Sequence, residues 1–246
     1  MKTWKVILAS SLFTLIVGGI YLFAVWKHRQ DPGVIGQKAP EQPVNEDDLA
    51  VVRSIFPMHY EDLQRLEGTS VWMRDGYVMP YYHYAGGSVA FAKQVGVVPA
   101  DARLDVKKII KVPVPASLDD TIDHGSRQAF VVFQFPGSKD QYATPVGAMQ
   151  GNEEKYFTDL LFYYDDPHTI YDHWPKDVWA AIDAHQVRPG MSELETQMAV
   201  GSKMHPDGET AGDRTVTYTE DGKVWTVTFQ KNRATTISTK DAGAAE

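Results

Sequence analysis

Cysteine is absent from this chain of 246 residues. The absence excludes disulfides, thiolate catalysis and lipidation at a cysteine. The sequence also lacks the G-x-S-x-G and S-x-x-K patterns of serine nucleophiles, and it lacks both glycine-rich patterns that cradle nucleotide phosphates. These absences make catalysis the minority interpretation, and no cofactor is predicted.

An excess of basic charge is also missing. The chain has 24 Lys and Arg against 32 Asp and Glu, a net charge of −8. Removing Lys2, Lys5 and Lys27, which flank an apolar segment, leaves 21 basic against 32 acidic side chains. A surface this acidic repels phosphate backbones and anionic lipid headgroups. Nucleic-acid binding is therefore not expected.

One long uncharged run stands out, residues 6–26, between Lys5 and Lys27. As a helix it is long enough to cross the roughly 30 Å hydrocarbon core of a bilayer. A cleaved signal peptide is the alternative, but no small-residue cleavage site follows the run. The sequence predicts a signal-anchor and a single-pass membrane protein, and the short N-terminal side favours a soluble head on the extracytoplasmic, periplasmic side.

Composition divides the rest of the chain. Residues 31–45 contain three prolines and two glycines, which is typical of a spacer. The predicted organisation is an anchor (1–27), a linker (28–45), a helix with a small β-barrel (46–150), an α+β domain (151–240) and a tail (241–246).

The middle of the chain reads as strands. We expect helices at 46–56 and at His59–Leu66, then a hairpin across Asp75-Gly76. Alternation over 104–112 predicts a half-buried strand, and the run 127–135, apolar on both faces, predicts a central one. Pro145 places the next strand at an edge or a bulge. Five or six short strands suggest a partly open barrel that resembles SH3-like modules in strand count.

Helices and then strands follow in the C-terminal part. The pattern predicts a helix over 153–164 capped by Asn152, and helix starts at Asp166-Pro167 and Trp174-Pro175. Ser192 with Glu195 forms a capping box for a helix that ends at Gly201. Three strands follow, separated by turns at Asp221-Gly222 and Lys231-Asn232. The predicted fold class is α+β: a transmembrane helix, an SH3-like barrel, and a helix packed on a three-stranded antiparallel sheet.

The densest polar segment runs from Asp165 to Trp174 and contains two histidines and three aspartates. If a helix starts at Pro167, His168 and Asp172 lie on one face, and His173 follows them. These three side chains form a possible metal site, because imidazole and carboxylate groups bind Zn²⁺. The plainer interpretation is a helix start in which Asp166 is the cap and the imidazoles pack beside Trp174.

Aromatic residues cluster on the predicted hairpin, where Tyr81 and Tyr82 lie among other tyrosines. Such a stripe is either the core face of a strand or a recognition surface, since tyrosine offers apolar area with a polar tip. For a binding function, the candidate residues are Trp72, Tyr81, Tyr82, Trp225 and Phe229.

Residues 188–201 (RPGMSELETQMAVG) and 215–237 (TVTYTEDGKVWTVTFQKNRATTI) carry a family resemblance. The Gly-Met-Ser helix start, the short helix that ends in glycine and the hairpin with its tryptophan resemble the small outer-membrane assembly lipoproteins (SmpA/OmlA-like). The resemblance implies a two-layer α+β fold and a scaffolding role in the cell envelope, without catalytic residues. It covers about 55 residues, and this chain departs from the family in having no cysteine to lipidate.

Together these features predict a membrane-anchored envelope protein of binding or assembly type, attached through residues 6–26. Its partner would be an envelope protein or a cell-wall component. The alternative is a metal-dependent extracytoplasmic enzyme that uses His168, Asp172 and His173. A third hypothesis is a purely structural accessory protein.

Overall fold

A computed structural model of the protein describes residues 15–27, 46–115, 118, 127–150, 153–201, 203–208, 210–220 and 222–242. The chain divides into two units, residues 1–48 and residues 49–246. Residues 15–27 of the first unit form a helix, α1, and Glu46–Leu49 form a short 3₁₀ turn.

The membrane-anchor prediction is wrong. No helix in the described stretches of the chain has the length and apolar character needed to cross a bilayer. The described residues do not include residues 6–14 of the predicted anchor. They also do not include the predicted linker, residues 28–45, which ends at Asn45. This finding also contradicts the predicted localisation, which was a single-pass membrane protein with an extracytoplasmic head.

Strands dominate the second unit, and its helices are short. The strands are β1 (Ser70–Met73), β2 (Pro80–Ala85), β3 (Ser88–Val97), β4 (Arg103–Val112), β5 (Arg127–Gln134), β6 (Tyr142–Gln150), β7 (Glu153–Tyr156), β8 (Phe162–Tyr163), β9 (Lys203–Asp207), β10 (Thr215–Glu220), β11 (Lys223–Gln230) and β12 (Arg233–Asp241). The helices are α2 (Tyr60–Leu63, continued as a 3₁₀ turn over Gln64–Leu66), α3 (Thr158–Leu161), α4 (Pro167–Ile170), α5 (Lys176–Asp183) and α6 (Glu193–Val200).

These strands form two antiparallel sheets, which overturns the predicted fold class. The larger sheet has eight strands in the order β3-β2-β6-β5-β4-β1-β8, with β7 paired to β6. The smaller has four strands in the order β12-β11-β10-β9. The predicted SH3-like barrel is wrong because the strand pairing runs from β3 at one end to β8 at the other. The predicted three-stranded sheet is wrong because β9, which pairs with β10, is a fourth strand.

The centre of the large sheet follows the expected pattern. β5 lies between β4 and β6, and both of its faces are buried, which confirms the predicted central strand. Ala129, Val131 and Phe133 contribute to one hydrophobic cluster, and Phe130 and Val132 contribute to another on the opposite face. Pro145 lies at a register shift between β5 and β6, so the bulge predicted from this proline is confirmed.

The predicted hairpin fails because distant segments compete for its strands. β1 pairs with β4 and β8, and β2 pairs with β3 and β6, so the predicted hairpin across Asp75-Gly76 does not form. Gly76 instead donates its backbone N–H to the carbonyl of Gly201, at 2.5 Å.

Two predicted helices are also absent from the described residues. Only Glu46–Leu49 of the predicted helix at 46–56 is helical, as a 3₁₀ turn. The predicted helix over 153–164 is β7, one turn of α3 and then β8. The edge of β6 provides a hydrogen-bonding partner for residues 153–156, and local helical spacing cannot reveal that partner.

Capping predictions succeed in the C-terminal part. The Ser192 hydroxyl accepts a hydrogen bond from the Glu195 N–H at 3.1 Å, and the Ser192 N–H donates to the Glu195 carboxylate at 2.5 Å. Asp166 accepts from the N–H of His168 at 2.9 Å, at the start of α4. The two-residue turn at Lys231-Asn232 has φ values of 51° and 56°, as the predicted β-turn requires.

The two sheets have separate hydrophobic cores that meet at two neighbouring strands, β1 and β8. Phe162 of β8 packs in the core between the large sheet and α2, whereas Tyr163 packs in the core between the small sheet and α4–α6. Trp72 of β1 also packs against the second core, while its neighbours Val71 and Met73 lie in the first. Strands β1 and β8 therefore belong to both cores.

A largely buried ion pair attaches α6 to the loop before β10. The Glu193 carboxylate accepts from the guanidinium of Arg214 at 2.5 Å and 3.0 Å, and from the N–H of Gly212 at 2.7 Å. The Glu193 carboxylate raises the pKa of Arg214 through this hydrogen bond. Because these bonds are shielded from water, the pair differs from the exposed pair Arg65–Asp62.

We expect Glu193→Ala to lower the free energy of unfolding by about 3 kcal/mol, because the change leaves a guanidinium and an N–H without their acceptor. The matched control is Arg65→Ala, which breaks the exposed pair and should leave stability close to that of the unchanged chain. Urea unfolding followed by tryptophan fluorescence measures both. Equal losses in the two variants would contradict the structural role given to Glu193.

Candidate functional site

The five predicted binding residues fall into three different clusters. Tyr82 and Phe229 are each only 1% exposed, so they are core residues, and their predicted role in binding is corrected. Trp72 and Trp225 are half-buried and pack against the core under the small sheet. Tyr81 is half-buried at one end of the large sheet. Among these five residues, Tyr81 is part of a distinct surface feature.

Tyr81 belongs to an aromatic cluster that the fold assembles from three strands. Its ring centroid lies 5.1 Å from that of Tyr142 and 5.6 Å from that of Phe135, both in edge-to-face orientation. The ring of His83 lies 5.1 Å from that of Tyr142. Phe133 closes the cluster from the core side. We call Tyr81, His83, Phe135 and Tyr142 the aromatic platform; His83 is exposed and the other three are half-buried.

Strand β3 runs beside the platform and forms one end of the sheet. Five of its ten residues have partners in β2, and the described residues provide no strand on the other side. Gly96 of β3 lies against Tyr81, where an added Cβ would come within 3.2 Å of the ring. Val95, which is 36% exposed, falls at an irregularity in the pairing with β2. An exposed strand edge and an aromatic surface therefore lie next to each other.

The structure does not bring the predicted metal ligands together. α4 ends at Ile170, so His168 and Asp172 do not share a helical face. The imidazole of His168 stacks on Trp179 with a centroid distance of 3.9 Å and contacts Asp166 and Asp183 at 3.0 Å and 3.4 Å. No group of three or more His, Asp or Glu side chains within the described ranges could hold a metal ion. The plainer interpretation holds in part: Asp166 caps α4 and the ring centroid of His173 lies 6.1 Å from that of Trp174, but His168 stacks on Trp179 and not on Trp174.

Two aspartates that the sequence did not single out lie near the junction of the two sheets. The carboxylate of Asp75 accepts hydrogen bonds from the amide of Gln197 and, at 3.4 Å, from the hydroxyl of Tyr163. Burial raises the pKa of Asp75, and its hydrogen bonds only partly offset that increase. Asp75 thus links the loop after β1 to α6 and β8 through hydrogen bonds.

Asp101 lies close to Asp75, and its carboxylate makes fewer hydrogen bonds. Its N–H donates to the carbonyl of Met73 at 2.9 Å, and its backbone is left-handed, with φ of 58°. Its Oδ1 is buried and has no hydrogen-bond partner among the described residues. Burial raises the pKa of Asp101 from 3.8 to about 7, because the charged form loses its hydration there. The His168 imidazole acts in the opposite direction, while the carboxylates of Asp183, Asp166 and Asp75 raise the pKa further.

No sequence signal identified either aspartate. Asp75 looked like a turn residue because Asp-Gly is a strong hairpin signal, and Asp101 follows a Pro-Ala pair that resembles an ordinary loop. Their burial results from contacts with residues roughly 60 to 120 positions away, which no local pattern records.

Comparisons with protein-family models, with curated proteins and with solved structures find no match to this chain. The resemblance of residues 188–201 and 215–237 to the outer-membrane assembly lipoproteins therefore stays a prediction. Function has to be argued from the geometry of this chain alone.

We expect Asp101→Asn to stabilise the protein at high pH. A carboxyl whose pKa is raised in the folded state contributes most favourably at low pH, and that contribution is lost as the pH rises from about 4 to about 7. The amide cannot ionise, so the variant should gain roughly 2–4 kcal/mol over the unchanged chain at pH 8, and the gain should shrink towards pH 4. Melting temperatures of both proteins across this range check the prediction. A difference that does not vary with pH would contradict it.

Proposed function

We propose that this chain is a protein-binding module that takes an extended segment of a partner polypeptide at strand β3. The observation that carries the proposal is the ten-residue edge strand lying beside the aromatic platform. An edge strand presents a row of N–H and C=O groups that a second strand can pair with. Because β3 has one strand neighbour in the described fold, its outer edge is available for such pairing.

The composition of β3 supports this role. Proteins usually protect long edge strands with charged residues, prolines or covering elements. β3 reads SVAFAKQVGV, with Lys93 as its one charged residue and no proline. By contrast, β9 is five residues long and contains Pro206, and β12 carries Arg233, Lys240 and Asp241. Of these three edges, β3 has the lowest density of charged residues and contains no proline, although its pairing with β2 shifts register twice.

The aromatic platform supplies specificity to the same surface. Main-chain pairing is nearly independent of sequence, so a partner is recognised by the side chains beside the paired strand. Tyr81 and Tyr142 offer rigid rings with polar tips, which are enriched at protein interfaces. A partner segment paired with β3 would therefore place an apolar or aromatic side chain against the platform.

The class of partner follows from the same chemistry. A strand edge pairs with a peptide backbone and has no equivalent partner in a glycan, so a protein is favoured over the cell-wall component that the sequence left open. The net charge of −8 opposes a nucleic acid.

The test begins with selection of binders to the full chain from a library of random twelve-residue peptides. We expect Val95→Lys to weaken the binding of a selected peptide at least tenfold, because charge on an edge strand opposes pairing. The matched control is Thr236→Lys, which places the same charge on the exposed edge strand β12 and should change affinity less than twofold. Fluorescence polarisation with the labelled peptide measures both.

Hydrogen exchange locates the peptide independently of the variants. Bound peptide should slow amide exchange in residues 88–97 and leave β12 unchanged. Peptides that bind Val95→Lys as tightly as the unchanged chain, or that protect a different segment, would refute β3 as the binding edge.

A further inference from the structure

A pocket of about 280 Å³ lies beside α2, on a part of the molecule that includes no β3 residue. Its apolar lining comes from Ile55, Leu66 and Tyr164, and its charged lining comes from Arg53, Arg65 and Asp62. The volume lies at the lower end of the range for small-molecule sites. A ligand that fills it would therefore be small.

One carboxylate holds two walls of the pocket together. Asp159 of α3 accepts from the N–H of Ile55 at 3.0 Å and from the N–H of Phe56 at 2.8 Å. It also accepts from the hydroxyl of Tyr164 at 2.8 Å. Phe56 has a φ of 46°, a conformation that a non-glycine residue keeps only where surrounding contacts impose it. The pocket is therefore preformed, because Ile55 and Tyr164 are fixed by the same side chain.

The two guanidinium groups keep donors available for a ligand. Arg53 donates through Nη2 to the carbonyl of Tyr164 at 2.6 Å and pairs with Asp165 at 3.2 Å. Both contacts use Nη2, which leaves Nε and Nη1 for a further acceptor. Arg65 pairs with Asp62 at 3.2 Å. The side chains of Arg53 and Arg65 are 57% and 80% exposed, so a bound group can reach both guanidinium groups from solvent.

We propose that this pocket binds a small carboxylate that carries an apolar body. Guanidinium groups match carboxylates in a bidentate geometry, and the apolar lining accommodates a short aliphatic or aryl group. The lining carries Arg53, Arg65 and Asp62. The carboxylates of Asp165 and Asp159 flank it, so a ligand with a single negative charge is favoured over a more highly charged one. A dianionic phosphate ester would be repelled by Asp62 and would find less polar contact on Ile55 and Leu66.

The test is calorimetric titration of the full chain with hexanoate, and with hexanamide as a neutral ligand of the same shape. We expect saturable binding of hexanoate and at least tenfold weaker binding of hexanamide. Arg53→Gln and Arg65→Gln should each weaken hexanoate binding at least fivefold. The control Arg233→Gln removes an exposed arginine from β12, outside the pocket lining, and should leave affinity unchanged. Melting temperatures confirm that each variant is folded.

Three outcomes would overturn the proposal. Hexanoate that does not saturate the protein up to 20 mM would show that the pocket is not a site for this class. Equal affinity for hexanoate and hexanamide would show that the arginines do not recognise the carboxylate. An equal loss of affinity in Arg233→Gln would show that binding follows overall charge. None of these results bears on peptide pairing at β3.

Discussion

Side chains of neighbouring residues in a strand point to opposite faces, and β8 uses this rule to connect the two halves of residues 49–246. Phe162 lies in the core of the large sheet, and Tyr163 lies in the core beneath the small one. Trp72 repeats the arrangement on the adjacent strand β1. Polar contacts reinforce the connection, since Gly76 bonds to Gly201 and the N–H of Ala100 donates to Glu220 at 3.3 Å. The position of the helices and of the small sheet depends on these two short strands.

The two proposed sites are built in different ways. At β3 the recognition groups belong to the backbone, and the aromatic platform adds side-chain contacts beside them. In the pocket near α2, recognition depends on two flexible arginines over a floor that Asp159 keeps rigid. Asp101 belongs to neither site. Its raised pKa is a property of the junction between the sheets, where a partly satisfied carboxyl lowers stability and takes no part in the proposed binding.

Sequence patterns predicted the elements whose determinants lie within a few residues of one another. The Ser192 capping box, the Asp166 cap, the Lys231-Asn232 turn and the bulge at Pro145 are all of this kind. Patterns failed where a distant strand decided the outcome, as at residues 153–164, which pair with β6 and β1, and at Asp75-Gly76, which bonds to α6 and Gly201. The anchor prediction rested on the length of the uncharged run, its flanking lysines and the absence of a cleavage site after it. Of the proposed sites, Tyr81 could be found from its aromatic neighbours, but Asp159 gave no local signal, because its hydrogen bonds reach residues more than 100 positions away.

The register of β4 against β5 leaves one residue of β4 without a partner, so the chain can lose a residue there. Val106 pairs with Phe133 and Lys108 pairs with Val132, so Lys107 is an extra residue with no counterpart in β5. Ile109 and Ile110 follow on opposite faces of the sheet, each opposite a residue of the same core. Loss of Lys107 during evolution would convert this bulge into regular pairing while every buried side chain of β4 kept its partner. Deleting one residue from a central strand normally moves its side chains to the opposite faces. At Lys107 of β4 the register allows a deletion without that reversal.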